Sequence, residues 1–405
     1  MRSLTERLRQ SRSAGGLSRI FEATKKASEF SRRSRFTLLL ASIASILLAG
    51  CQLPYLARVA YIEAHLLWNR RPINQLLREP DLAADERQRL ETVLQVRQFA
   101  ANRLGLRVGG AYQTVSAVDQ NAVVWVLMAS PRDALSPYLW WFPIVGYVPY
   151  RGYFSRAGAE AAARAMQTRG YDTFIRPAIA FSSLGFFNDP VFSNLLQLSR
   201  PALVGVLIHE LFHRTFFLKN EVMFDESSAN WIGNRGAIDF FVETEGPGSQ
   251  DAIAAREIYV SDMKFAAFLL QQQIRLIKLY ESGLPRQEIL KRRVRLFAEI
   301  KADYVRLKPR LSGLERFDLD QQELNNAVLM NYLIYFHDLN RFAALERIHR
   351  GDTRATIRAI IELAGSEPHD PFHALWKATS MVPGAQDPAD VSGIALQPTL
   401  DIGLP

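Results

Sequence analysis

Cysteine is almost missing from this chain of 405 residues, because Cys51 is the only one. A single cysteine excludes an intramolecular disulfide, a redox-active pair and a zinc site built from thiolates. A lone cysteine is usually a small buried hydrophobic residue. Cys51 instead stands directly after an apolar run and the small residues Ala49 and Gly50, so we expect a different role for it.

An excess of one charge is also missing from most of the chain. The formal net charge is +8, but residues 1–36 alone carry ten Lys or Arg and three Asp or Glu. The remaining residues hold 39 basic and 38 acidic side chains, so the pI of 9.6 describes the N-terminal segment only. A nucleic-acid partner, which the high pI would otherwise suggest, is therefore not expected.

The N-terminal part lacks a hydrophobic run that spans a bilayer comfortably. The apolar run at residues 37–50 is shorter than the roughly 20 residues that a membrane-spanning helix needs. It follows Arg32, Arg33 and Arg35, and it ends in Leu48-Ala49-Gly50-Cys51. A basic start, a short apolar core and small residues before a cleavage point are typical of a secretory signal rather than a retained transmembrane helix.

The end of this run resembles the bacterial lipobox, in which the cysteine is lipidated and becomes the new N-terminus. The resemblance implies that residues 1–50 are a signal peptide with a lipobox and that Cys51 carries the lipid. Gln52 follows, not the Asp that retains lipoproteins at the inner membrane of enteric bacteria. We therefore expect an outer membrane lipoprotein that faces the periplasm and contacts the membrane through its N-terminal lipid anchor.

The strongest chemical signal is His209-Glu210-Leu211-Phe212-His213, which lies within an apolar, helix-like run at residues 203–217. Residues four apart share one face of a helix, so both imidazoles can point at one ion with Glu210 beside it. In zinc hydrolases two such His bind the metal and the Glu takes a proton from water. A chance match in a buried helix is the alternative, but burying two His and a Glu without a partner is costly.

A third ligand has to be a carboxylate close downstream, because no histidine lies between His213 and His337. The metzincin pattern is excluded, since Phe216 and Lys219 stand where it needs Gly and His. Glu226, in a second predicted helix, can complete a His₂Glu zinc site with one open position for water.

Two alternatives stay open for this second helix. Asp225 is the rival ligand, or else a partner that fixes the tautomer of a ligating His. Glu226 could also be a solvated carboxylate favoured by the helix dipole. Ala229 and Gly233 follow Glu226 at near-helical spacing, and such small residues predict a close approach of the two helices.

Hydrophobic periodicity predicts an α+β fold that is mostly helical, with a zincin-like active-site helix between a small α/β piece and a helical C-terminal part. The predicted elements are a buried strand at 122–128, an extended segment at 171–180, and helices at 81–104, 155–169, 251–283, 285–307, 321–337 and 342–363. The predicted organisation is a signal peptide at 1–50, an N-terminal helical segment at 51–110, a zinc peptidase-like domain at 111–380 (zinc helices 201–243, helical part 251–365) and a flexible tail at 381–405.

Together these residues resemble the bacterial predicted zinc-aminopeptidase lipoproteins, a group assigned to the gluzincin-like peptidases. The resemblance covers nearly all of the chain after Cys51 and combines the H-E-x-x-H motif with residues 143–154, residues 181–190, Glu226-Ser227-Ser228-Ala229 and Leu324-Asn325-Asn326-Ala327. It implies a zinc peptidase that acts on peptide substrates. The implied roles are ligands for His209, His213 and Glu226, and general base for Glu210.

The chain departs from that family in two places. Family members often carry Asn-Glu-Ser-Phe-Ala where this chain has Asp225-Glu226-Ser227-Ser228-Ala229, and a Tyr where it has Phe181. The implied ligand is kept, whereas any role of that Tyr hydroxyl is lost here.

A peptidase of this kind also needs a donor for the developing oxyanion besides the metal. Tyr335 is our candidate, and Tyr150-Arg151 is the alternative, although a Tyr on an apolar helix is often a core residue with a satisfied hydroxyl. The candidate substrate-binding residues are Tyr150, Arg151, Ser182, Asn325 and Asn326.

Two other functions fit the same motif. The protein could be a non-catalytic envelope lipoprotein in which zinc braces two helices and the body recruits a partner, although structural zinc usually has four protein ligands. It could also be a zinc amidase that acts on cell-wall peptides. No residue for the free α-ammonium of a substrate is evident, so the aminopeptidase specificity rests on the resemblance alone.

Overall fold

The computed structural model describes residues 70–118, 124–142, 145–178, 188–312 and 318–382. The predicted signal peptide, Cys51, Phe181, Ser182 and residues 383–405 of the predicted tail lie outside the described residues.

Within these residues the helices are α1 (Ile73–Leu76), α2 (Ala84–Phe99), α3 (Arg156–Thr168), α4 (Arg200–Thr215), α5 (Val222–Glu245), α6 (Gln250–Tyr280), α7 (Arg286–Leu307), α8 (Asn326–Phe336), α9 (Leu339–Ile348), α10 (Thr353–Ser366) and α11 (Pro371–Thr379). The strands are β1 (Arg71–Pro72), β2 (Thr114–Ser116), β3 (Val124–Pro131), β4 (Trp140–Phe142), β5 (Gly146–Val148), β6 (Tyr150–Tyr153), β7 (Tyr171–Ala178) and β8 (Val191–Phe192). The predicted class, α+β and mostly helical, is confirmed.

The small α/β piece is an antiparallel sheet in the order β6-β3-β7. In this sheet Met128 lies opposite Tyr150, and Val126 lies opposite Arg176. Residues opposite each other share a face of the sheet, and so do residues two apart along a strand, so all four side chains lie on one face. Helix α8 packs against that face and α3 packs against the other. The sheet therefore presents Tyr150 and Arg176 to the helical half of the molecule.

Helix α2 joins the same hydrophobic core as the predicted zinc helix α4. Its Leu90, Val93 and Val96 are fully buried, and a π-helical turn at Ala100–Leu104 extends it to Gly105. At Gly105 the backbone enters the left-handed region (φ +76°), which ends the helix where the sequence predicts. The predicted boundary between residues 110 and 111 stays a prediction.

Helices α4 and α5 cross at Gly205 and Gly233. A Cβ built on Gly233 would stand only 2.5 Å from the carbonyl oxygen of Gly205, so the two backbones touch. At the start of α4, Arg200 pairs with Glu245 at the end of α5 (2.7 Å) and with Asp251 at the start of α6. The crossing fixes how the polar faces of α4 and α5 meet.

The C-terminal helices differ from the prediction in three ways. Helix α8 begins at Asn326, five residues later than predicted, because Asn325 caps it by accepting a hydrogen bond from the Val328 amide. The single helix predicted at 342–363 is wrong: Arg350 and Gly351 have positive φ and separate α9 from α10. Helix α11, which begins at Pro371, was not predicted.

Within the described residues, no helix is both long enough and apolar enough to cross a membrane.

Candidate active site

Helix α4 carries the H-E-x-x-H motif on its polar side. Leu203, Leu207 and Leu211 are fully buried and anchor the opposite side of the helix in the core. His209 and His213 are therefore one turn apart on the side that faces α5, with their Nε2 atoms 3.0 Å from each other. Their side chains are 14% and 7% exposed, which leaves a narrow opening at His209.

Helix α5 adds Glu226 to this pair. Its Oε2 atom lies 3.3 Å from His209 Nε2 and 3.4 Å from His213 Nε2. Ligands bound tetrahedrally to zinc at about 2.05 Å stand about 3.3 Å apart, which is the separation seen here between the three donor atoms. Among the described residues, His209, His213 and Glu226 are the group of side chains that could hold a metal ion.

The charges of these three groups depend on one another. Burial lowers the pKa of His213, but Glu226 beside it outweighs that effect and the net pKa is raised. Burial likewise raises the pKa of Glu226, and the charges and hydrogen bonds of His213 and His209 more than reverse it, so its net pKa is lowered. The site therefore favours a negatively charged Glu226 with a positive charge beside it. Either a proton on the histidines or a bound metal cation can supply that positive charge.

Glu210 lies beside the three donor atoms but is not one of them. Its Oε2 atom is buried and has no hydrogen-bond partner among the described residues. Burial raises the pKa of Glu210, while His209 and His213 act in the opposite direction. A carboxylate that accepts a proton more readily than usual, next to a metal-binding group, has the properties of a general base.

Tyr335 lies next to the same centre. Its ring stacks near the His209 ring, with centroids 6.3 Å apart and an interplanar angle of 28°. Burial raises the pKa of Tyr335, and Glu226 raises it further, so the hydroxyl keeps its proton at neutral pH. The Arg176 guanidinium from β7 donates to the Tyr335 hydroxyl oxygen at 2.9 Å and to Asn331 Oδ1 at 2.7 Å. The hydroxyl proton thus stays free to be donated elsewhere.

The end of α8 is held against α5 directly beside Glu226. Ser227 Oγ donates to the carbonyl oxygen of Ile334 at 2.9 Å and accepts from the His337 amide at 3.1 Å. Asn230 Nδ2 donates to the carbonyl oxygen of Tyr335 at 3.1 Å. Carbonyls in the last turn of a helix have no partner within the helix, and α5 supplies partners here, so the position of Tyr335 is tied to that of Glu226.

A family model described as "Putative aminopeptidase" matches residues 54–375. The chain belongs to this family. The match spans most of the chain, including α4, α5 and α8, and membership indicates peptidase activity. Neither the curated proteins nor the solved structures gave a match.

The structure of this aminopeptidase-family chain brings Tyr150 to the centre but places Arg151 elsewhere. Burial raises the pKa of Tyr150, and the charges of Glu226 and Glu210 add to the effect, as expected for a hydroxyl close to them. Arg151 follows it in β6 and so points to the opposite face of the sheet, where its guanidinium lies over the Tyr153 ring. Its predicted part in substrate binding has no support in this placement.

Asn325 and Asn326 have structural partners instead of a place at the centre. Asn325 caps α8, and Asn326 is fully buried, donating to the carbonyl oxygens of Pro131 and Ala134 at 2.8 and 3.0 Å. Their predicted role in substrate binding is therefore not supported. Asn326 thus ties α8 to the end of β3 and the loop after it, and Asn325 ties α8 to β7 by donating to the Thr173 carbonyl oxygen at 3.2 Å.

Asp225 does not join the metal-binding group. Its two carboxylate oxygens accept from the Leu218 amide at 3.0 and 3.2 Å, which closes the loop between α4 and α5. His213 Nδ1 is buried without a hydrogen-bond partner in the described part of the chain, so Asp225 does not fix its tautomer either. Both roles left open for Asp225 lack support.

Sequence reasoning missed Arg176 and Tyr112. Arg176 stands in an edge strand whose alternation carried no chemical signal, and only the packing of α8 on the sheet brings it to Tyr335. Tyr112 is buried with φ +56°, and Glu210 is among the charges that raise its pKa, after burial itself. A positive φ at a buried Tyr is a sign of a functional region, but no sequence pattern announces it.

Proposed function

We propose that the chain is a membrane-anchored, zinc-dependent aminopeptidase. The observation that carries the proposal is the triangle of His209 Nε2, His213 Nε2 and Glu226 Oε2 with edges of 3.0 to 3.4 Å. Glu210 stands beside this triangle, and its Oε2 atom has no hydrogen-bond partner in the part of the chain that the structure describes. Membership in a peptidase family supports the choice of a peptide bond as the target.

Zinc fits this donor set better than the other common metal ions. Two imidazoles and one carboxylate are a ligand set of catalytic zinc sites, whereas magnesium and calcium prefer oxygen ligands only. When bound, zinc supplies a Lewis acid that polarises the scissile carbonyl and makes water a better nucleophile at neutral pH.

Three ligands, rather than four, support an enzyme over a scaffold. The described residues bring only His209, His213 and Glu226 together as donors. Structural zinc sites are usually closed by four protein ligands, and catalytic sites keep one position open. A scaffold would also have no use for the buried carboxylate of Glu210, whose Oε2 has no hydrogen-bond partner within the described ranges.

Glu210 acts as the base in the proposed reaction. Its free Oε2 accepts a proton from the attacking water, and its raised pKa lets it hold that proton until the leaving amine takes it. Water loses a proton to Glu210, the carbonyl carbon gains the new C–O bond, the C–N bond breaks, and the amine leaves with the proton.

Tyr335 stabilises the oxyanion that develops on the carbonyl oxygen. Its hydroxyl proton is available because Arg176 occupies the hydroxyl oxygen as a donor. A preorganised donor of this kind is typically worth about 10²- to 10³-fold in kcat. Tyr150, which lies near the same carboxylates, helps to enclose the centre.

The activity is tested by comparing metal content with turnover. We expect purified protein to hold close to one zinc per chain, and His209→Ala, His213→Ala and Glu226→Ala each to lower zinc occupancy sharply. Glu210→Gln should keep the metal and lose hydrolysis of unblocked peptides, because the base is not a ligand. Normal turnover by Glu210→Gln, or full zinc occupancy in Glu226→Ala, would contradict the proposal.

Membrane anchorage is tested separately at Cys51. We expect metabolic labelling with a fatty acid to mark the wild-type protein and not Cys51→Ser, which should stay uncleaved or leave the membrane fraction. A mature protein that begins upstream of Cys51 and carries no acyl group would refute the lipoprotein assignment while leaving the hydrolase standing.

A further inference from the structure

A small cavity lies in the groove between α4 and α5, next to the metal-binding group. Its volume is about 50 Å³, and one of its walls is the ligand His209 itself. Its other lining residues are Ala202, Gly205, Val206, Asn230 and Asn234. Asn230 follows Glu226 by one helical turn, so the cavity continues the active site along the groove.

The two asparagines of the cavity are held in one orientation by Asp262, a residue of α6. Asn234 Nδ2 donates to Asp262 Oδ2 at 2.5 Å, and Asn230 Nδ2 lies 3.5 Å from the same oxygen. Asn230 Nδ2 also donates to the carbonyl oxygen of Tyr335. Because these partners are acceptors, only the amide nitrogens can face them, whichever way the amides are first assigned.

The amide oxygens therefore point away from Asp262. Asn234 Oδ1 lies 3.7 Å from the position that a Cβ on Gly205 would take, which places it toward the cavity wall formed by α4. Asn230 and Asn234 both line the cavity and are only 9% and 8% exposed, so the cavity is the space open to their amide oxygens. Apart from His209, the cavity offers acceptors of hydrogen bonds and apolar surface.

A cavity with this lining recognises a donor that carries positive charge. Amide oxygens accept hydrogen bonds, and the carboxylate of Asp262, buried behind the amides at 1% exposure, adds negative potential. A primary ammonium group brings three N–H donors and one positive charge, which matches these groups.

We propose that this cavity binds the free α-ammonium group of the peptide substrate through Asn230 and Asn234, with Asp262 orienting both amides. The proposal rests on the proposed function, because it places the first residue of the substrate beside the metal ligand His209. The volume of about 50 Å³ accommodates the ammonium group, since one water-sized group needs about 10 to 15 Å³. An acetylated amino group carries no charge and only one N–H donor, so it matches the acceptors of this cavity poorly.

The probe is L-alanine hydroxamate, compared with N-acetyl-L-alanine hydroxamate and acetohydroxamate in binding to the zinc-loaded protein by calorimetry. All three share the metal-binding group, so only the free ammonium distinguishes the first from the others. We expect L-alanine hydroxamate to bind about tenfold to hundredfold more tightly than its acetylated form, as charge-assisted hydrogen bonds contribute in a buried site. Binding is measured directly, so the test does not require turnover.

Gly205→Ala is the sharpest variant, because its methyl group would stand 3.7 Å from Asn234 Oδ1 without a clash and cover it. We expect this variant to fold and bind acetohydroxamate as the wild type does, yet to lose most of the preference for the free ammonium. Gly365→Ala, a helical site with nothing within 4 Å of the new methyl group, is the matched control and should keep the preference. Asp262→Asn should lower the preference by removing the charge behind the amides.

The outcomes separate this proposal from the proposed function. Equal binding of the free and acetylated hydroxamates to wild-type protein would overturn the ammonium site and leave the zinc centre intact. An unchanged preference in Gly205→Ala would overturn it as well, and would favour a cavity that holds only water between His209 and the amides. Failure to bind acetohydroxamate would overturn the zinc centre and the ammonium site with it. A preference that Gly205→Ala abolishes, in a protein that hydrolyses nothing, would support the site while refuting the peptidase.

Discussion

The crossing of α4 and α5 predicts opposite effects for two glycine-to-alanine substitutions that face each other. A Cβ at position 233 would stand 2.5 Å from the Gly205 carbonyl oxygen and 3.2 Å from His209 Cβ, neither of which can swing away. A Cβ at position 205 would have no neighbour closer than 3.7 Å. Gly233→Ala therefore forces the helices apart, and Gly205→Ala does not.

The size of the effect follows from these distances. Ordinary contacts begin at 3.4 Å, so the backbones must part by about 0.9 Å at the crossing in Gly233→Ala. Overpacking of this kind costs about 1 to 3 kcal/mol, against a gain of about 0.5 to 1 kcal/mol from replacing a helical Gly. We expect Gly233→Ala to lose about 1 to 2 kcal/mol of unfolding free energy, and Gly205→Ala to gain about 0.5 to 1 kcal/mol.

The same displacement reaches the metal centre, because Glu226 lies on α5 and both His lie on α4. Zinc sites tolerate deviations of about 0.2 Å in ligand distances, well below the expected movement of the helices. We therefore expect zinc affinity to fall about tenfold or more in Gly233→Ala, as when a supporting residue of a metal site is lost. Gly205→Ala should keep wild-type affinity.

Urea unfolding of the metal-free variants and competition with a chelator for zinc measure the two quantities independently. Gly365→Ala controls for the general effect of replacing a helical glycine. If Gly233→Ala were as stable as Gly205→Ala and bound zinc equally well, the close crossing of the two helices would be refuted.

Two further substitutions test the surroundings of the centre. Tyr335→Phe should lower kcat about 10²- to 10³-fold without loss of zinc, because it removes the oxyanion donor. The control is Tyr332→Phe in the same helix, since the Tyr332 ring packs on Phe265 of α6. Equal kcat in both variants would refute the role. Burial raises the pKa of Glu221 to about 7, and Asp370 contributes. A carboxyl group whose pKa is raised by folding stabilises the protein most below its unfolded pKa of about 4.5. That contribution to the free energy of unfolding is lost as the pH rises to the folded pKa of about 7. Glu221→Gln should therefore stabilise the metal-free protein by about 1 kcal/mol at pH 8 and hardly at all at pH 4. The partial exposure of Glu221 makes this value smaller than the full pKa shift would give. Urea unfolding measures the effect, and equal changes at both pH values would contradict the prediction.

The metal-binding group could be predicted because its signals are local. The spacing of His209 and His213 fixes one helical face, and the absence of any histidine before His337 leaves a carboxylate as the third donor. The close approach of the helices could be predicted from Gly233, since a glycine within a helix often marks a tight contact. Each of these inferences needs only residues within about one helix pair.

The errors lie where a local signal was outweighed by periodicity. The prediction of one helix over 342–363 passed through Gly351, although Gly351 followed by an N-cap at Asp352 is a helix stop and a new start. Asp370 and Pro371 are a start signal for α11 of the same kind. Asn325 is also a cap, and the predicted start of α8 at residue 321 overlooked that preference.

The residues that sequence could not assign are those that tertiary packing brings together. Arg176 reaches Tyr335 across 159 positions, from a strand that shows only ordinary alternation. Asp262 reaches Asn234 across 28 positions, from within a long helix. No spacing rule links such pairs, because the link exists only after the sheet and the helices have packed.

Helix α5 shows why these distant residues converge. Its first four turns bury six polar side chains, each less than a tenth exposed: Asp225, Glu226, Ser227, Ser228, Asn230 and Asn234. A helix that only filled the core would carry apolar residues there, since buried polar groups cost free energy unless they are paired. Each of these groups makes a specific contact. Asp225 closes the loop between α4 and α5, Glu226 completes the donor triangle, and Ser227 bonds to the end of α8. Ser228 bonds within α5, and the amide nitrogens of the two asparagines face Asp262. The conflict between composition and burial in α5 is thus the strongest structural argument that this helix is built for a reaction and not for stability alone.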